Sequence, residues 1–271
     1  MGLGPPSTGF IIKGWRRAGV GPGGGGVRYE SWAPFYGEIR RSFGFAFERE
    51  ELAAARLEAL LGEPARVEPL ARLRPRLKGR DAIVVGAAPG GGPPPLWRLA
   101  PSEPAPALLA ADGAAAACLA AGLVPTVVVT DLDGPVPAQI AANQRGSLVA
   151  VHAHGDNVPA LERWVPEFPG ELAGSWAGPP RSFLLDVGGF TDGDRAAFLA
   201  EELGARRILL WGFDFATVEE PTAEERERKL RKLAWAQRLL GELDRTGRSP
   251  LFLWRRDGRL LPYGSAESST R

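Results

Sequence analysis

Asp131 and Asp133 stand one residue apart in "VVVTDLDGP", at the end of a β-branched run. In extended backbone, residues two apart point the same way, with Cα atoms roughly 6.6 Å apart at about 3.3 Å per residue. Two such carboxylates can face one cation or a close pair of cations. Asp112 in "ADG" and Asp156 in "HGDN" follow other apolar runs. Like charges gathered at one edge repel and raise each other's pKa unless a cation neutralises them. Oxygen-only ligands favour Mg²⁺, which keeps waters and shares its remaining positions with phosphates. Gly86, Gly113, Gly134 and Gly155 sit beside these positions, where a missing Cβ lets backbone N–H groups approach a phosphate. Asp112, Asp131, Asp133 and Asp156 are therefore expected to hold Mg²⁺ for a nucleoside triphosphate.

Other polar residues carry more than one reading. A single D-x-D is equally turn chemistry after a strand. "TDGDR" at 191–195 is first a helix cap, with Thr191 or Asp192 closing the helix start, and Arg195 reaches either phosphate or solvent. Asp214 follows "RRILLWG" and serves either the site or a backbone amide. His152 and His154 alternate with Asp156. The readings there are a His₂Asp zinc site, a substrate contact or weak general base at His154, and a hydrogen-bonded histidine at a sheet edge. Lys229 and Lys232 reach a phosphate from the last helix or are simply solvated. "GAAPGGGP" has neither the lysine of a Walker A loop nor the spacing of a dinucleotide fingerprint.

These residues need a scaffold that brings strand ends together. From Asp81 onward, short apolar runs at 82–86, 106–111, 126–130, 147–153, 182–187 and 206–212 alternate with helix-length stretches. Strands apolar throughout and separated by helices predict a parallel sheet covered on both faces, a Rossmann-like doubly wound α/β domain over 81–271. Ligands of such sheets bind beyond the carboxyl ends of the strands, where the aspartates lie. Before it, "EREELAAARLEALLGEP" predicts a helix with apolar Leu52, Leu57, Leu60 and Leu61, stopped by Gly62 and Pro64. Residues 28–80 form a small, mainly helical N-terminal unit in this reading, and 1–27 a flexible Gly/Pro-rich tail. Thr222 and Glu225 predict a capping box opening a helix near 223–244.

Composition narrows the class of protein. The formal net charge of the 271 residues is +1, so no field favours nucleic acid or an anionic membrane. Cys118 is the sole cysteine, which precludes a disulfide within the chain and reads as a small core residue. No apolar run approaches the roughly 18–20 residues of a membrane span, and no signal-peptide core is evident. A soluble cytoplasmic protein is expected.

Taken in order, "AADGAAAACLAAGLVPTVVVTDLDG", "HAHGDN", "GGFTDGDRA" and "GARRILLWGFDF" resemble the motifs of the archaeal 6-hydroxymethyl-7,8-dihydropterin pyrophosphokinases, across about residues 81–240. "WAPFYGEI…FGFAFEREELAAARLEALL" is similar to that family's N-terminal part. The resemblance implies a Rossmann-like fold akin to thiamine pyrophosphokinase, and diphosphate transfer from ATP to a reduced pterin alcohol, releasing AMP. It implies metal at Asp112, Asp131, Asp133 and Asp156, with Asp131, Asp133 and His154 in the catalytic set. Gly86, Pro89, Gly113, Gly134, Gly155, Asn157, Thr191, Asp192, Asp194 and Asp214 are then expected around the nucleotide. Expected partners are ATP and the pterin, with no nucleic acid or membrane, and homo-oligomerisation is left open. One departure stands out. The family's first loop reads G-x-G-P-S, and here Gly86-Ala87-Ala88-Pro89-Gly90 leaves less room for a phosphate and no hydroxyl at position 90. Competing readings are the same chemistry on thiamine, a nucleotide-sugar glycosyltransferase and a non-catalytic nucleotide-binding module.

Overall fold

The computed structural model describes residues 29–62, 68–88, 91–99 and 102–265. The expected tail at 1–27 and Pro89 lie outside them. Among the described residues, nine strands form one sheet: β1 (Asp81–Val85), β2 (Ala107–Ala111), β3 (Val127–Thr130), β4 (Leu148–His152), β5 (Leu172–Ser175), β6 (Leu184–Leu185), β7 (Arg207–Trp211), β8 (Leu251–Trp254) and β9 (Leu260–Pro262). Their spatial order is β6-β5-β4-β3-β2-β1-β7-β8-β9, parallel throughout except for the antiparallel β8–β9 pair. The doubly wound, mostly parallel α/β sheet expected from the alternating runs is present. The run at 182–187 contributes only two strand residues, and β5, β8 and β9 were not among the expected strands.

Eight helices accompany the sheet among these residues: α1 (Tyr29–Phe43), α2 (Phe47–Leu60), α3 (Pro69–Leu77), α4 (Ala114–Ala120), α5 (Val136–Gln144), α6 (Val158–Trp164), α7 (Asp192–Glu202) and α8 (Ala223–Thr246). Alternation along each strand supplies both faces. Ala82 and Val84 of β1 enter one core with Trp32 of α1, Leu73 of α3, Phe198 of α7 and Leu239 of α8. Ile83 and Val85 enter the other with Leu57 of α2, Ala115 and Cys118 of α4 and Leu161 of α6. The N-terminal helices thus pack against both faces of the sheet. In α2 the buried stripe is Glu50, Ala53, Ala54 and Leu57. Leu52, one of the expected apolar positions, is exposed, because it points away from that stripe.

Chain order fixes where a ligand can enter. From β1 the chain moves outward strand by strand to β6, then crosses through α7 to β7 on the other side of β1. Loops after β1 and β7 therefore leave in opposite directions and open a crevice. The two loops touch there. Gly86 donates its N–H to the Trp211 carbonyl at 2.8 Å, and Ala88 donates to the Gly212 carbonyl at 3.2 Å. Gly212 adopts φ +70°, and a Cβ on it would come within 2.7 Å of the Gly86 carbonyl oxygen, so both requirements select glycine.

Helix α7 anchors this crossing. Every residue from Asp194 to Glu202 is buried, and Phe198 is completely so. Phe198→Ala would leave a ring-sized cavity and should cost about 3–5 kcal/mol of stability. Urea unfolding followed by far-UV circular dichroism checks this through a lowered midpoint at unchanged slope.

Candidate active site

The carboxylates at the strand ends sit on backbone that is folded back. β3 ends at Thr130, whose hydroxyl accepts the Leu132 N–H at 2.9 Å, and Leu132 adopts φ +69° with its side chain buried. Asp131 and Asp133 therefore do not flank extended backbone as their spacing suggests; a left-handed residue turns the chain between them. Asp112, following β2, is also left-handed, at φ +43°. Conformations of this kind cost on the order of 1–3 kcal/mol for non-glycine residues and persist where packing over-determines them. Burial of Leu132 among Val128 and its neighbours provides that packing.

Asp112 is held from several sides. Its Oδ1 accepts from the Thr130 hydroxyl at 3.0 Å and from the Gln139 amide at 2.7 Å. Its other oxygen lies against Gly134, where any Cβ would overlap the carboxylate. Gly134 thus makes room for a carboxylate rather than for a phosphate. Asp131 receives the Asp133 N–H at 3.3 Å and faces His154 Nε2 at 3.4 Å. One oxygen each from Asp112, Asp131 and Asp192, the first residue of α7, lies within 4.8 Å of the other two. A set of oxygen donors this close fits a hard divalent cation.

Electrostatics agree with mutual repulsion. Burial, followed by the charges of Asp131 and Asp112, pushes the Asp192 carboxyl well above its ordinary value. Burial and then Asp131 push Asp133 up to about 6. Asp112 is also raised, by burial against the lowering pull of the Thr130 hydrogen bond, with Asp131 adding to the rise. Burial works the same way on Asp131, but hydrogen bonds from His154 and Asp133 outweigh it and hold that carboxyl at about 2.

The expected set is redistributed. Asp156 does not join the three converging carboxylates: it is exposed and ion-paired with Arg49 at 3.2 Å. Asp192, expected at the nucleotide, takes that place. His154 accepts the Asp156 N–H at Nδ1, so Nε2 faces Asp131 as a donor and the neutral ring has no lone pair left for a general base. His152 is buried, with Nδ1 on the Ser175 hydroxyl at 3.0 Å, and burial, then Arg195, keep it neutral. Asn157 is fully engaged, donating to the Asp131 and His152 carbonyls at 2.8 Å each and accepting from the His154 amide. Asp194 accepts the Phe190 and Thr191 N–H groups at 2.7 Å each, so the helix cap expected at Thr191 or Asp192 is a Thr191–Asp194 capping box at the start of α7. The Gly155 N–H donates to Glu50 and that of Gly86 to Trp211, so neither amide faces a phosphate. Gly113 lies at the start of α4 against Pro135.

A cavity of about 320 Å³ opens onto the acidic wall. Gly86, Asp112, Asp131, Asp133, Thr191, Asp192 and Asp214 line it, and Asp214 also ties the following turn through the Ala216 and Thr217 amides. Lys229 and Lys232 of α8 also line the cavity, with Lys232 close enough to Asp133 to act on its charge, and Phe213 and Phe215 complete the wall. Arg195 is in neither of its expected settings. It is 4% exposed and borders a second, smaller cavity that shares Asp131, Asp192, Phe190 and Lys232 with the first. Glu50, on the wall of that second cavity, was missed. Its signal was available: it occupies the first position of the i, i+3, i+4, i+7 stripe completed by Ala53, Ala54 and Leu57.

Comparison with known proteins adds an independent constraint. A family model described as 6-hydroxymethylpterin diphosphokinase MptE-like matches residues 60–220. The 6-hydroxymethyl-7,8-dihydropterin pyrophosphokinase of Methanothermobacter thermautotrophicus is 37% identical over 239 residues, covering 84% of this chain and all of the relative. Those of Pyrococcus furiosus and Methanocaldococcus jannaschii are 37% and 33% identical, over 83% and 79% of this chain and 98% and 95% of theirs.

The raised carboxyl of Asp133 gives a measurable pH dependence. The folded state keeps this proton to higher pH than the unfolded chain, so stability falls as pH rises from about 4 through about 6. Asp133→Asn removes that loss. In divalent-free buffer the variant should melt about 2 °C higher at pH 7, a modest gain because part of Asp133 stays open to solvent that screens the repulsion, and the difference should vanish near pH 4. Thermal melts across that range decide it.

Proposed function

This chain belongs to the MptE-like 6-hydroxymethylpterin diphosphokinase family, and from that premise we propose that it transfers diphosphate from ATP to 6-hydroxymethyl-7,8-dihydropterin with Mg²⁺ as cofactor. The observation that carries the ATP and Mg²⁺ assignments is the convergence of Asp112, Asp131 and Asp192 at the mouth of the larger cavity. Those three residues would hold the cation. Bound there, Mg²⁺ neutralises charge across the polyphosphate.

In this reading the larger cavity takes the nucleotide, with Phe213, Phe215 and Leu233 as its apolar wall. Lys229 and Lys232 of α8, which line the same cavity, supply positive charge to the polyphosphate. The hydroxymethyl oxygen forms a bond to the β-phosphorus, the bond from that phosphorus to the bridging oxygen breaks, and AMP leaves with that oxygen. The pterin gains the β- and γ-phosphates, and the hydroxyl proton is released. Transfer of this kind asks the protein for alignment and charge more than for a strong base. His154 fixes the Asp131 carboxylate, and Thr130 with Gln139 fixes Asp112. The buried, unpaired Cys118 accords with a reducing cytoplasm.

Incubation with ATP, Mg²⁺ and the pterin alcohol should give AMP stoichiometric with diphosphorylated pterin, resolved by ion-exchange chromatography. ADP as product, or turnover with thiamine but not with the pterin, contradicts the assignment. Asp131→Asn should lower kcat at least about 100-fold with the fold retained. Gly134→Ala, which drives a methyl into the Asp112 carboxylate, should lower it about 10- to 100-fold although residue 134 itself need not touch substrate.

A further inference from the structure

The smaller cavity, about 70 Å³, adjoins the carboxylates through Asp131 and Asp192 and has a different lining. Trp32, Tyr36, Phe45 and Phe190 supply aromatic surface, and Glu50 of α2 adds a carboxylate to those of Asp131, Asp156 and Asp192. Trp32 and Tyr36 lie nearly parallel, with ring centroids 6.2 Å apart, and the Trp32 indole is fixed by a 2.9 Å hydrogen bond to the Ala177 carbonyl. An aromatic wall of this kind favours a flat ring over a bulky aliphatic alcohol.

Glu50 is 5% exposed, on a helix stripe where an alanine or leucine would pack. A carboxylate placed there is costly unless its oxygens are satisfied. Its protein partners are few. Oε1 accepts the Gly155 N–H at 3.1 Å, and the Tyr36 hydroxyl reaches Oε2 only at 3.5 Å, the limit of hydrogen-bond geometry. Among the described residues no cation lies within ion-pair distance of it, although the buried Arg195 borders the same cavity. An ionised carboxylate has about four acceptor sites, so most of its capacity faces the cavity.

Two adjacent N–H donors on a planar ring complement two carboxylate oxygens as a guanidinium does. The 2-amino and N3–H groups of a 2-amino-4-oxopyrimidine ring present that pair. We propose that the smaller cavity receives the pyrimidinone end of the acceptor, that Glu50 accepts its 2-amino and N3–H donors, and that Glu50 thereby selects the acceptor. The hydroxymethyl arm at the other end of the ring then lies toward the wall shared with the nucleotide cavity, at Asp131 and Asp192. The inference rests on the pterin diphosphokinase reading above and adds which residues recognise the pterin.

Glu50→Gln is a selective test, because glutamine keeps an acceptor for the Gly155 N–H and replaces one acceptor with a donor. In the AMP-release assay E50Q should raise the KM for hydroxymethyldihydropterin roughly 10- to 100-fold and leave the KM for ATP unchanged. Its side-chain amide should favour an acceptor bearing a 2-oxo group, so the preference of the unaltered protein for 2-amino over 2-oxo acceptor should narrow at least about 10-fold. A pterin KM within twofold of the original, with the same preference, overturns the proposal. If E50Q does not fold, Glu50→Asp, which retains the charge on a shorter arm, should show the same rise in pterin KM, and its absence is equally fatal. Titration of the natural fluorescence of 6-hydroxymethylpterin without ATP separates the two readings. Binding weakened by E50Q supports the cavity assignment even if no AMP forms, whereas binding unaffected by E50Q rejects it even in an active enzyme.

Discussion

Carboxylates that repel one another must be forced together, and the strand ends of this protein are organised around that constraint. Asp112, Asp131 and Asp192 bring oxygens within 4.8 Å, and each arrives from a different part of the chain. Asp112 is clamped by the Thr130 hydroxyl, the Gln139 amide and the bare backbone of Gly134. Asp131 is steadied by His154, whose other nitrogen receives the Asp156 amide, and by the turn that Leu132 makes at φ +69°. Asp192 opens α7, which is anchored by burial from Asp194 to Glu202 and by Asp194 gripping the backbone of the preceding loop. Residues that look like ligands in the sequence, such as Asn157 and Asp194, are better understood as the supports of those that converge.

The same constraint explains the two cavities. Asp131 and Asp192 border both, so under the proposed function a phosphate chain in one and an acceptor in the other would share them. The larger cavity is built by the doubly wound sheet itself, at the crevice between β1 and β7. The smaller depends on α1 and α2, whose Trp32, Tyr36 and Glu50 close it. Gly155 permits this approach: a Cβ there would come within 2.9 Å of the Arg49 side chain, so α2 could not sit so close to the loop after β4. The N-terminal helices are therefore part of the site as well as part of both cores.

Much of this was legible because its causes are local. Apolar runs flanked by helix-length stretches specify a buried parallel sheet, since both faces of each strand must be covered. Helix starts at Thr191 and Thr222 follow from hydrogen bonds spanning three residues. That aspartates follow the strands, and so share one edge, follows from parallel topology alone. β5 was obscure because "LAGS" has no β-branched residue and is a strand only through its pairing with β4 and β6.

What the tertiary structure alone decided is which of those aspartates meet. In sequence Asp156 has the stronger claim to a cation, because Asp192 reads first as a helix cap, and a D-x-D suggests extended backbone. The fold sends Asp156 outward to Arg49 and brings Asp192 inward on α7, and Leu132 goes left-handed because its side chain is drawn into the core. Glu50 lay in plain view on an amphipathic helix, but its meaning depends on which face is buried and on what lies opposite. Local hydrogen bonds and hydrophobic periodicity are written in neighbouring residues. The meeting of distant charges depends on how helices cross a finished sheet, and only the folded chain fixes that.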